Sequence, residues 1–136
     1  MAIGEGALWV IGDAADRRVF KVDLRTGRIV HATLLPFAPR SIAVGEGGVW
    51  VTGPIDDVLA RLDPRTGGIA RTIHVPSGAA GVAAGGGSVW VASALDGSVS
   101  RIDPRSLAIV KTIPVEGAPG ELTYGLGRLW VTTNES

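Results

Sequence analysis

Short apolar runs, each broken by a polar or glycine-rich turn, fill this chain from end to end. In its middle third the runs fall at residues 40–44, 49–53, 58–63 and 69–75, rich in β-branched residues and bounded by Gly, Pro or Asp. Runs of that length and composition predict β-strands. No stretch carries the 3.6-residue period of an amphipathic helix. Gly45-Glu46-Gly47-Gly48 predicts the first hairpin turn, where glycine supplies positive φ. Asp63-Pro64-Arg65-Thr66-Gly67 predicts the third. There proline presets φ, aspartate bonds the turn backbone, and glycine takes a left-handed position before the next strand.

The pattern repeats. Trp9, Trp50, Trp90 and Trp130 recur about every 40 residues, each followed by valine and preceded by a glycine three positions earlier. A second marker recurs in step: Asp23-Leu24-Arg25-Thr26-Gly27, Asp63-Pro64-Arg65-Thr66-Gly67 and Asp103-Pro104-Arg105-Ser106-Leu107. Residues 45–84 and 85–124 align without a gap and share 14 identities, far above chance.

Four antiparallel strands with one tryptophan per unit of this length predict the blade of a β-propeller. Val49, Trp50 and Val51 are consecutive and apolar, which fits a sheet buried on both faces between two neighbours. The fold class expected is therefore all-β, with about three and a third four-stranded blades over residues 1–136. The repeats span about 1–44, 45–84 and 85–124, with a partial repeat at 125–136. The tryptophans belong between blades, as core.

Propellers close rings of about four to eight blades. Three blades leave two apolar faces open, and such faces drive association. The partner expected is a second copy, giving a homodimeric six-bladed ring in which residues 118–124 of one chain complete the first blade of the other. A seven-bladed ring with a hybrid blade is the alternative.

Composition narrows the function. Thirteen basic residues balance thirteen acidic ones and the arginines are spread along the repeats, so no nucleic-acid or anionic-membrane partner is expected. No apolar stretch reaches the roughly 18 residues of a spanning helix. Cysteine is absent, which removes disulfides, thiolate nucleophiles and cysteine-bound zinc. The first residues lack the basic and apolar regions of a signal peptide, and the cellular compartment stays open.

The order Gly85-Gly86-Gly87-Ser88-Val89-Trp90-Val91, Val99-Ser100-Arg101-Ile102-Asp103-Pro104-Arg105 and Thr112-Ile113-Pro114-Val115 resembles the blade repeat of the YncE-like and virginiamycin B lyase-like bacterial propellers. That resemblance implies a propeller of six or seven blades, often exported. Its lyase branch implies metal-assisted opening of a cyclic peptide ester by His and Glu beside magnesium. Those residues do not carry over. His31 and His74 fall on outermost strands, at non-equivalent repeat positions.

The remaining candidates sit in loops. Gly-x-Gly elements are not followed by a helix, so they read as hairpin turns and not phosphate cradles. Arg25, Arg65 and Arg105 read as solvated turn residues, and Arg61 and Arg101 as partners of neighbouring acids. The loops between second and third strands carry Asp13, Asp16, Asp56, Asp57 and Asp96. They share one rim with the segments entering the inner strands, which bring Arg40, Ser41, Gly81, Gly120 and Glu121. From these, Arg40, Ser41, Asp56, Asp57, Asp96 and Glu121 form the candidate ligand site at the channel mouth. No Ser/His/Asp arrangement is visible, and neither a catalytic residue, a resident metal nor a cofactor is expected. The chain reads as a non-enzymatic binding or scaffold module, with a metal-dependent lyase as the alternative.

Overall fold

The computed structural model describes residues 1–12 and 15–134. Among these residues all regular structure is β. Three four-stranded antiparallel sheets and one antiparallel pair follow one another along the chain. The first blade is β1 (Ala2–Gly4), β2 (Ala7–Ile11), β3 (Arg18–Asp23) and β4 (Ile29–Leu34). The second is β5 (Ser41–Gly45), β6 (Gly48–Gly53), β7 (Val58–Leu62) and β8 (Ile69–His74). The third is β9 (Ala79–Gly85), β10 (Ser88–Ser93), β11 (Ser98–Ile102) and β12 (Ile109–Pro114). A half-blade, β13 (Ala118–Gly125) and β14 (Arg128–Asn134), ends the chain. Each sheet starts with its inner strand, so repeat limits drawn at 45 and 85 fall inside the inner hairpins.

The turns explain the strand order. Each inner hairpin closes over two residues that both have positive φ: Glu5-Gly6, Glu46-Gly47, Gly86-Gly87 and Leu126-Gly127. That is the two-residue turn whose twist matches paired strands. At the same end of each complete blade, the Asp-x-Arg turn from third to fourth strand is closed by its aspartate. Asp63 Oδ1 accepts from the Arg65 N–H, and Asp103 Oδ1 from the Arg105 N–H, both at 2.8 Å.

Blades stack through alternating side chains. In β6, Val49 and Val51 turn toward the first blade and join Trp9, Val19 and Leu62. Trp50 turns the other way and joins Val82, Val89, Val91 and Ile102 of the third blade. Leu129 and Val131 repeat the arrangement against Val99 and Ala92. The inner strands β1, β5, β9 and β13 consequently lie side by side. A side chain at Gly81 would strike the Gly120 carbonyl, so this glycine sets how closely β13 approaches β9.

Two sequence expectations change here. Trp9 and Trp50 are fully buried between blades, whereas Trp130, whose outer face no described residue covers, is 57% exposed. Among the described residues neither Arg61 nor Arg101 forms a salt bridge. Each lies over the tryptophan opposite it on the second strand, at 5.6 Å from Trp50 and 5.5 Å from Trp90. Lys21 does the same over Trp9 at 5.4 Å.

Candidate functional site

The rim that carries the candidate residues is built by two kinds of connection. One joins second to third strands, as at Pro54–Asp57 and Ala94–Gly97. The other brings the chain from an outer strand to the next inner one, as at Val75–Gly78. Buried anchors hold the second kind down: Leu35, Phe37 and Val75 all sink into the interblade core.

Arg40 and Glu121 meet. The Arg40 Nη1 lies 3.1 Å from Glu121 Oε1, with both side chains about half exposed. Arg40 leads into β5 and Glu121 lies on β13, so the ion pair spans the blade between them. Gly81 of β9 packs against the Glu121 backbone, where a Cβ would come within 2.9 Å of the Glu121 Cα. Exposed pairs of this kind contribute ~0–1 kcal/mol, so this one orients groups more than it stabilises them. The Glu121 N–H donates to Thr132 Oγ1 at 2.9 Å, which fixes the backbone beneath the carboxylate.

The aspartates do not converge with that pair. Asp57 adopts φ +54°, and its Oδ1 accepts from the Gly78 N–H at 2.8 Å, tying a second–third strand loop to the next connection. Asp96 Oδ2 accepts from Ser98 Oγ at 2.6 Å within its own loop. Asp56 is exposed, and Ser41 is half-buried at the start of β5. Asp16 pairs with Arg18 at 2.7 Å. Asp13 lies outside the described residues. Among the described residues no three His, Asp or Glu side chains are grouped so as to hold a metal ion. His31 and His74 are exposed on the outer strands β4 and β8.

A groove of about 470 Å³ opens beside the ion pair. Arg40 lies at its edge, Ala79, Ala80 and Gly120 line it low among the inner strands, and Ile55 and Leu95 flank it. Ile55 is 79% and Leu95 84% exposed, although both sit at loop tips where polar residues are usual. These two were missed as site residues. The signal was available: they occupy the same repeat position, so an apolar loop tip occurs twice in succession. Its chemistry suits an apolar group held between two aliphatic side chains, with a guanidinium and a carboxylate at one end.

No family model matches the chain, and no curated protein matches it in sequence. Solved structures do resemble it. Hydrazine synthase from Kuenenia stuttgartiensis superposes with a TM-score of 0.88 at 17% identity, over 98% of this chain and 41% of that one. BamB from Moraxella catarrhalis gives 0.80 at 18% identity, over 96% and 38%. Apo AztD from Citrobacter koseri gives 0.75 at 19%, over 96% and 37%. The chain thus spans about two fifths of the length of each. BamB and AztD are bacterial β-propeller proteins, and at these identities the likeness shows the fold alone. With three stacked four-stranded sheets and an inner pair, the chain has the blade architecture of the β-propeller fold.

Proposed function

We propose that this protein is a non-catalytic binding module: a propeller half, closed into a ring by a second copy, that takes its ligand at the rim groove. The observation that carries the reading is the pair Ile55 and Leu95, both strongly exposed and both flanking one groove at the mouth of the inner strands. Leaving two large aliphatic side chains in water forgoes roughly 1.5–3 kcal/mol each that burial would return. A ligand with an apolar segment recovers it. The Arg40–Glu121 pair at one edge adds a polar contact that fixes the ligand's orientation. The expected ligand is therefore a small or extended molecule with an aliphatic or aromatic body and a polar end.

Titration with an environment-sensitive apolar dye tests the groove. The intact chain is expected to bind it saturably, one per groove. Ile55→Asp and Leu95→Asp are each expected to weaken binding at least tenfold while leaving the melting curve in place, since both side chains are solvent-exposed. Absence of saturable binding, or binding unchanged in both variants, overturns the reading.

A further inference from the structure

We infer that a second copy docks blade against blade, with the Arg128–Trp130 face of β14 packed on the open face of the partner's first blade; this rests on the ring reading above and names its seam. The argument starts from the small residue two positions before each tryptophan. In the complete blades it is Ala7, Gly48 or Ser88. That smallness makes room for the third-strand cation. A Cβ at Gly48 would lie 3.3 Å from the Arg61 stem, and Ser88 Oγ accepts from Arg101 Nε at 2.8 Å. In the half-blade the same position holds Arg128. Residues two apart on a strand share a face, so β14 brings its own cation to the face of Trp130.

This substitution decides between two ways of adding a copy. If the partner's β3 and β4 paired with the edge of β14, Lys21 would come opposite Trp130, as it now stands opposite Trp9. Lys21 and Arg128 would then crowd one ring with two like charges. Docking of whole faces avoids that. It also repeats the interface already present between blades, where a tryptophan face covers an apolar one.

The first blade supplies the matching surface. Leu8, Val10 and Val22 occupy the places of Val49, Val51 and Leu62, which are fully buried against the preceding blade. In the first blade all three are only half-buried. Phe20 stands where the second and third blades have Ala60 and Ser100. The half-blade lacks third and fourth strands, so a blade packed on it meets a space at that level. Phe20, with the Arg18 guanidinium 4.9 Å over its ring, has the bulk to fill it. The cation finds its usual acceptor as well. Lys21 donates to the Pro64 carbonyl and Arg61 to the Pro104 carbonyl, each in the turn of the next blade. For Arg128 the equivalent acceptor is the carbonyl of the partner's Leu24. Two such seams close a ring of six complete blades and two half-blades, a heterologous contact that closes.

Light scattering and sedimentation on the full chain test this. The unaltered protein is expected at twice its 14.0 kDa mass. Trp130→Ser, Phe20→Ser and Arg128→Ala are each expected to raise the dimer dissociation constant at least tenfold, with Arg128→Lys retaining most of the affinity. Val10→Glu is expected to leave monomers. Circular dichroism melts establish that each variant is folded. An unaltered protein that stays monomeric overturns the ring reading and the seam together. A dimer indifferent to Trp130→Ser, or one preserved or tightened in Val10→Glu because β14 has displaced β2, overturns the seam and leaves the ring reading standing.

Discussion

Arg61 donates from Nη1 to the carbonyl of Pro104 at 3.2 Å, and so bolts the third strand of one blade to the turn of the next. The same guanidinium lies over Trp50, which is buried between those blades. A cation over an aromatic face is worth ~0.5–2 kcal/mol and a hydrogen bond ~0.5–1.5 kcal/mol. Arg61→Ala is therefore expected to lower stability by about 1–3 kcal/mol in urea unfolding. Arg61→Lys is expected to recover most of the loss. Lys21 already makes the equivalent bond, to Pro64 at 2.7 Å, one blade earlier.

The blade repeat was legible because tryptophan, glycine and the Asp-Pro turn each mark a fixed place in the strand frame. The Trp50 strand and its neighbours fall within a residue or so of the limits expected. The site was less legible. Repeat position alone put Arg40 and Glu121 near the channel mouth, but their contact depends on how closely β13 approaches β9, which Gly81 sets through a backbone contact far along the chain. Asp57 and Asp96 look like ligands in a sequence because carboxylates serve turns and ligands equally well. Only the geometry assigns them to Gly78 and Ser98. Arg61 over Trp50 was hidden for another reason. A third-strand cation reads as a salt-bridge partner until the register places it opposite an indole ring.

Ser100 marks a defect in the third blade. It is fully buried and its Oγ has no hydrogen-bond partner. The second blade has Ala60 at this position, also fully buried. An unsatisfied buried hydroxyl costs about 1–3 kcal/mol. Ser100→Ala is accordingly expected to stabilise the chain by about 1 kcal/mol or more. A rise in the urea midpoint with an unchanged slope would establish it.

Leu126 carries backbone strain without recompense. Its φ is +54° in the turn between β13 and β14, and its side chain is 94% exposed. A left-handed conformation costs an ordinary L-residue roughly 1–2 kcal/mol, while asparagine enters it readily. Leu126→Asn is expected to stabilise the half-blade by on the order of 1 kcal/mol. Hydrogen exchange at the β13 and β14 amides is the direct measurement, since slower exchange there isolates the effect from the rest of the chain.

Acid should loosen the outer turns first. Asp63 is held below its ordinary 3.8 chiefly by the Arg65 backbone N–H, and Asp103 chiefly by those of Arg105 and Ser106. A carboxylate whose folded pKa is depressed contributes stability above its unfolded pKa and loses it as pH falls through the folded value. Thermal midpoints are therefore expected to be flat near neutrality and to drop as pH falls from about 4 through the lower carboxylate range. Asp63→Asn with Asp103→Asn removes both titrating groups but keeps an acceptor oxygen in each turn. The double variant should show a shallower acid limb than the parent. A limb of equal steepness would assign the acid sensitivity to other carboxylates, and Asp16, held low by its bond from Arg18, is the next to replace.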